Sequence, residues 1–190
     1  MILDLFKYFA KFPSQEGVLT IFNNGESSMS EYAILKGSIE GSKVHSLIPD
    51  IAHYVFGQSF DGVKKRIDSI SGTFLFVDFG EFSSVRDQRN SIQDMQKLAI
   101  TVAMKVPSSS DLVEEAIISE QTLHLINILR ARMIYDSGRI NAPWLKKLSD
   151  THDIIPFVAP ELASIGWSMR FDSEGSDLFA IKDMIKSFDR

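Results

Sequence analysis

The sequence predicts an α+β fold, in which an antiparallel or mixed sheet is built on a long central hairpin and helices pack mainly on one face. The first arm of the hairpin, 72–80, is apolar on both sides, which is typical of a central strand. The second arm, 97–106, alternates between large apolar residues and small or polar ones. Its apolar side consists of Leu98, Ile100, Val102, Met104 and Val106. The tight strand-to-strand connections favour helices on one side of the sheet.

Length and composition exclude several classes of protein. The 190 residues fit a single α+β domain, 1–190. The absence of cysteine excludes disulfides, thiol catalysis and cysteine-based zinc sites. The net charge of −5 argues against a nucleic-acid-binding protein, which normally has a basic face.

The N-terminal segment is apolar but does not fit a signal peptide. Asp4 precedes the first lysine, and Lys7 interrupts the apolar run. No segment approaches the roughly 20 consecutive apolar residues of a membrane span. We therefore expect a soluble, cytoplasmic protein without membrane contact.

The N-terminal third combines one clear helix with an irregular segment. Residues 2–12 have apolar residues at helical spacing, and Pro13 ends this helix. Residues 14–43 form a Gly/Ser-rich excursion, in which we predict a short strand at 18–22, a single turn at 31–35 and otherwise loop. The excursion is interpreted as a mobile surface segment, with a functional loop as the alternative.

The middle of the chain predicts a strand at 51–56, a helix from Ser59 or Asp61 to Ile70, the hairpin, and then a long helix. Ser110 or Asp111 caps the long helix, which ends near Gly138. The apolar residues of this helix extend around more than half of its circumference. It must therefore be buried on more than one side, or it breaks near 119–120 into two helices.

The C-terminal third predicts a short helix at 141–148 and a strand at 154–158, where Pro156 implies an edge or a bulge. Residues 165–172 alternate between large apolar residues and small or polar ones, which indicates a strand with one solvent-exposed (wet) face. A C-terminal amphipathic helix follows at 176–189. We expect its apolar stripe to contact a partner through Leu178, Ile181, Ile185 and Phe188.

No residue pattern names a reaction, so we predict no catalytic, cofactor-binding or metal-binding residues. No two histidines have the spacing of a helical metal site, and the glycines match no phosphate-binding loop. His124 is interpreted as a core or boundary residue. Asp78 interrupts an apolar strand, so it either faces solvent near the strand end or forms a buried ion pair with Arg130 or Arg132. The other three histidines are His45, His53 and His152.

The polar stretch 81–94 is longer than a hairpin connection needs, because two strands can turn in two to five residues. A charged tip that is merely solvated is one interpretation. The other is an extended hairpin that pairs with a neighbouring subunit. On this second interpretation, Arg86, Asp87 and Arg89 contact another subunit or a partner protein.

The strand 72–80, the polar hairpin 83–91, the strand 98–106, the long helix and the strand 165–171 together resemble the layout of small phage neck and tail-completion proteins, including tail terminators. The resemblance covers 50–172. It implies a non-enzymatic α+β protein that assembles as rings at the head–tail junction, and hence a virion-associated location. No functional residue is transferred, and the segments 14–43 and 176–189 have no counterpart.

The sequence thus favours a non-enzymatic structural or interaction protein without a cofactor, which binds a protein partner or assembles as a homo-oligomer. The alternative is a small cytoplasmic enzyme or ligand-binding domain whose site is assembled from scattered carboxylates and arginines.

Overall fold

The computed structural model describes residues 2–22, 27–58, 60–86, 92–139, 145 and 152–175, and it confirms the α+β class. Its helices are α1 (Ile2–Phe9), α2 (Gln15–Leu19), α3 (Ser30–Glu40), α4 (Phe60–Asp68) and α5 (Leu112–Ser137). Its strands are β1 (His53–Gly57), β2 (Thr73–Asp78), β3 (Phe82–Arg86), β4 (Ile92–Lys105), β5 (Asp153–Ala159) and β6 (Ser164–Gly175). A short 3-10 helix (Pro160–Leu162) connects β5 to β6.

In the described part of the chain, the six strands form one mixed sheet with the order β1-β2-β4-β6-β5, and β3 pairs with β4. The β1–β2 pair is parallel and the other pairs are antiparallel. β4 is the central strand because β2 and β3 share one of its edges while β6 pairs along the other. Pro156 lies on β5, which is an edge strand of this sheet, as predicted.

The hairpin is longer than its two apolar arms. β3 pairs with the first part of β4, so the polar stretch 81–94 is not a loop at 82–86 and 92–94. These residues extend the hairpin, as the second interpretation of this stretch expected. A β-bulge joins β2 to β3, because residues 79–81 lie opposite only residues 97–98. Gly80 suits the bulge: its φ is +56°, and a Cβ there would lie 2.1 Å from the carbonyl oxygen of Lys97.

The main core lies between the sheet and the helices α1 and α5. Leu98, Ile100 and Val102 of β4 are at most 2% exposed, which confirms their predicted burial, whereas Met104 is half-buried. The side chains that pack against this face of the sheet include Leu5, Phe9, Leu125, Leu129 and Met133.

The opposite face of the sheet carries a smaller core under α4. Phe74 packs there with Val63 and Ile67. The predicted wet face of β6 is only partly right: Arg170 is exposed, but Ser168 is buried. Ser168 tolerates this position because its Oγ accepts a 3.0 Å hydrogen bond from the Thr101 hydroxyl.

The excursion 14–43 contains two helices, so the strand predicted at 18–22 and the single turn at 31–35 are wrong. Ser14 caps α2 by accepting a 3.1 Å hydrogen bond from the Gly17 amide, which begins a helix where the apolar run indicated a strand. Gly17 also lets α2 sit against the start of β1, because a Cβ there would lie 1.7 Å from the Ala52 carbonyl oxygen.

The long helix α5 is continuous, so the alternative of a break near 119–120 is wrong. Asp111 and Glu114 form the predicted capping box, and Gly138 is the C-cap. The helix predicted at 141–148 lies outside the described residues except for the buried Leu145. The predicted C-terminal helix at 176–189 also lies outside them.

Candidate interaction surface

Helix α5 has apolar residues on two sides, but the fold buries only one of them. The sheet-facing side is at most 9% exposed and consists of Ile118, Thr122, Leu125, Ile126, Leu129 and Met133. These residues recur at helical spacing, so they form one continuous stripe. The prediction that the helix is buried on more than one side is therefore wrong for the chain by itself.

A second side of α5 forms another stripe, which we call the outer stripe. It consists of Val113, Ile117, Gln121, His124, Ile128, Ala131 and Tyr135, all of which are exposed. The largest apolar members leave 40% to 67% of their surface in solvent. From Ile117 to Tyr135 the spacing alternates between four and three residues, which is the a/d spacing of helices that pair side by side. At 1.5 Å per residue the outer stripe is about 33 Å long.

Charge is distributed unevenly along α5. Residues 111–124 contain four carboxylates and no lysine or arginine, whereas residues 125–139 contain three arginines and one aspartate. This order stabilises the helix through its macrodipole. It also makes the helix complementary to a second copy of itself that runs in the opposite direction.

The C-terminal end of the outer stripe is held in place by a buried carboxylate. Asp136 is 4% exposed and accepts a 3.0 Å hydrogen bond from the Tyr8 hydroxyl of α1. Arg132 Nε lies 3.0 Å from the Asp136 carboxylate, and this partner raises the pKa of Arg132. The Arg139 guanidinium lies 3.7 Å from the centre of the Tyr135 ring. The end of the stripe is therefore fixed against α1.

The residues predicted to contact a partner are only partly described. Arg86 lies on β3, whose residues 83–86 are exposed on both faces of the strand. Asp87, Arg89, Leu178, Ile181, Ile185 and Phe188 lie outside the described residues. The contact at the hairpin tip therefore stays a prediction, and so does the contact through the C-terminal helix.

The histidines lie apart from one another. His124, which was interpreted as a core or boundary residue, is exposed on the outer stripe and does not lie in the core. Arg130 Nε donates to His152 Nε2, and Ser46 Oγ lies 3.3 Å from His45 Nδ1. His53 lies at the start of β1, and burial lowers its pKa. Among the described residues, no three histidine, aspartate or glutamate side chains are arranged to hold a metal ion.

Asp78 is half-buried at the end of β2. Its Oδ1 accepts a 2.9 Å hydrogen bond from the Gly80 amide, next to the bulge. The alternative of an ion pair with Arg130 or Arg132 is wrong, because those side chains bind His152 and Asp136. Asp78 instead borders an open hollow of about 360 Å³. The charged residues that line this hollow are Asp78, Glu81, Lys97, Arg170 and Asp172.

The outer stripe was missed in the sequence because the apolar residues of this helix were expected to be buried on more than one side. The alternating spacing from Ile117 to Tyr135 was the available signal, although Gln121, His124 and Ala131 make it weakly apolar. The burial of Asp136 could not be predicted from neighbouring residues, because its hydrogen-bond partner Tyr8 lies 128 positions away in the sequence.

In the portion of the chain that the structure describes, no helix is both long and apolar enough to cross a bilayer. No protein-family model matches the sequence, and neither the curated proteins nor the solved structures give a significant match.

Proposed function

We propose that this chain is a non-enzymatic structural and interaction protein that assembles by pairing the outer stripe of α5 with the same stripe of a second copy, in antiparallel orientation. The observation that carries the proposal is the stripe itself, which is about 33 Å long and lies on a helix whose sheet-facing side is buried. Its exposed large apolar members are Val113, Ile117, Ile128 and Tyr135. Two such helices bury each other's stripes when they pair side by side.

The antiparallel orientation follows from charge. In this orientation the two-fold axis passes close to His124, which is the midpoint between Val113 and Tyr135. Ile117 then packs against Ala131 of the second copy. The carboxylate-rich first half of one helix then lies alongside the arginine-containing second half of the other, whereas parallel pairing would place the two carboxylate-rich halves side by side.

The proposed place of such a protein is the neck or tail-completion assembly of a phage, which the strand layout suggested. A ring at a head–tail junction needs a heterologous contact between different surfaces of neighbouring subunits. The α5 pairing is isologous and closes a dimer, so a ring also needs a second contact. The exposed strand β3 with Arg86 supplies a candidate for that contact.

The alternative, a ligand-binding domain, is supported by the charged hollow beside Asp78. A ligand with both an amino and a carboxyl group would meet both signs of charge there. We expect a thermal-shift screen of amino acids to raise the melting temperature if this alternative holds, and Arg170→Gln to abolish the shift.

Cross-linking through single engineered cysteines tests the helix pairing, because the chain has no cysteine of its own. Ile117→Cys mixed with Ala131→Cys should form a disulfide between the two variants under mild oxidation. Leu112→Cys is the control, since Leu112 is 83% exposed but lies away from the stripe. Cross-links of Ile117→Cys only with itself would show parallel pairing. Equal reaction of the control would show that the contacts are random.

A further inference from the structure

Strand β1 is an edge strand whose outer side is only partly covered. Within the described sheet it pairs with β2 alone. The start of this edge is covered by the N-terminus of α2, where Ser14 donates hydrogen bonds to the carbonyl oxygens of Ile51 and Ala52 at 2.9 and 2.8 Å. Beyond this point, residues 54–58 line an open groove, which we call the β1 groove.

The β1 groove has the shape of a channel along the strand. Its volume is about 350 Å³. One wall is α4, with Gly62, Val63 and Arg66, and the other includes Ile21, which follows α2. The floor consists of the edge residues Tyr54, Val55, Phe56, Gly57 and Gln58. Most of this lining is apolar, so the groove suits the side chains of an extended segment better than a strongly hydrated ligand.

Residues 54–58 lack the features that protect sheet edges. They contain no proline, lysine or other charged residue. The far edge of the sheet differs, because β5 carries Pro156. The β1 edge is therefore open to an added strand.

Arg66 is the only charged residue that lines the β1 groove, and its charge is not neutralised by the described residues around it. Its Nη2 donates to the Thr20 hydroxyl, while its Nε is buried without a hydrogen-bond partner. Burial lowers the pKa of Arg66, and no carboxylate opposes this effect. His53 Nδ1, on the adjoining face of β1, is also buried without a partner. A half-buried cation in this state favours an incoming carboxylate.

We propose that the β1 groove binds an extended acidic segment of a partner protein, which adds a strand to β1 and places a carboxylate on Arg66. Main-chain hydrogen bonds to the edge hold the segment in register, and apolar side chains at alternate positions occupy the lining. Arg66 selects an acidic residue through a charge-assisted hydrogen bond from its guanidinium group. This proposal is independent of the α5 pairing, because the two surfaces share no residue.

The test uses the full chain and two short labelled peptides, acetyl-Val-Glu-Val-Glu-Val-amide and its counterpart with glutamine in place of both glutamates. We expect the acidic peptide to bind at least about tenfold more tightly, which is the usual effect of one hydrogen bond to a charged group. Its binding should shift the backbone amide NMR signals of residues 54–58. Arg66→Gln should remove the preference between the peptides, and Lys65→Gln, an exposed neighbour on α4, should keep it.

Gly62→Leu provides a second variant that does not depend on Arg66. A Cβ at Gly62 would meet nothing within 4 Å, so the fold accepts the side chain, which would then fill the groove. We expect this variant to bind neither peptide. Equal binding of both peptides to the wild type, no binding of either, or NMR shifts away from β1 would overturn the proposal. Displacement of the acidic peptide by millimolar acetate or phosphate would instead indicate a site for small anions and would also overturn it.

Discussion

Replacement of Ile117 and Ile128 by serine should separate the proposed α5 dimer without unfolding the monomer. Full burial of an isoleucine side chain stabilises a fold or an interface by about 1.5–3 kcal/mol. Ile117 and Ile128 are 52% and 40% exposed in the single chain, so roughly half of that burial remains to be gained at an interface. A symmetric dimer contains each residue twice. The double change should therefore cost about 3–6 kcal/mol of association free energy, which weakens the dimer roughly 100- to 20,000-fold.

The assay is sedimentation equilibrium over a wide range of concentrations, with chemical unfolding of the monomer measured on the same preparations. The double variant should still unfold cooperatively, with a monomer unfolding free energy lowered by about 1.5–3 kcal/mol, because roughly half of each isoleucine side chain is already covered in the single chain. Leu112→Ser is the matched control and should leave the dimer intact. If the double variant keeps the mass profile of the wild type, or if Leu112→Ser weakens association equally, the outer stripe is not the interface.

Three further predictions concern the core, the buried carboxylate and the hairpin tip. Ile100→Ala should lower the unfolding free energy by about 2–5 kcal/mol in urea titrations, since Ile100 is fully buried, and a loss below about 0.5 kcal/mol would contradict its place in the core. Burial and the nearby Asp136 raise the pKa of Tyr8, so the folded chain keeps this hydroxyl protonated while the unfolded chain ionises it above about pH 10. The unfolding free energy should therefore fall above that pH. Tyr8→Phe should lower the unfolding free energy by about 1–2 kcal/mol at pH 7, but in urea titrations at alkaline pH its unfolding free energy should decline less steeply with pH than that of the wild type. An equally steep decline would contradict this. Arg86→Glu combined with Arg89→Glu should leave the calorimetric melting temperature nearly unchanged and reduce the assembled mass in light scattering, and a large fall in melting temperature would instead assign these arginines to the fold.

The central strand β4 was predictable from the sequence because its large apolar residues alternate with small or polar ones. The burial of Leu98, Ile100 and Val102 followed from period-two spacing alone. The capping box of α5 followed from Asp111 and Glu114, a signal local to four residues. Such features need no knowledge of distant residues.

The errors arose where distant contacts decide local structure. The composition of residues 18–22 predicts a strand. Ser14 instead caps a helix that includes Val18, and Val18 is fully buried in the main core. β3 reads as a loop because it is polar, yet it pairs with β4, and Ser84 donates a 2.6 Å hydrogen bond to Asp94. The apolar residues of α5 extend around more than half of the helix, so their positions alone could not predict which side the fold buries and which side stays exposed.

The bulge at Gly80 shifts the phase of side-chain alternation between the two halves of the hairpin. Before the bulge, Leu75 and Val77 face the main core. With one extra residue inserted, the even-numbered residues of β3 take over that face, so that Phe82 lies opposite Gln96 and Ser84 opposite Asp94. An L-residue at position 80 would disfavour the bulge and push β3 towards a one-residue slip. That slip would bring Ser83 and Val85 to the core-facing side in place of Phe82 and Ser84, with Ser83 opposite Asp94. This one glycine therefore determines which side chains of β3 lie on each face of the sheet.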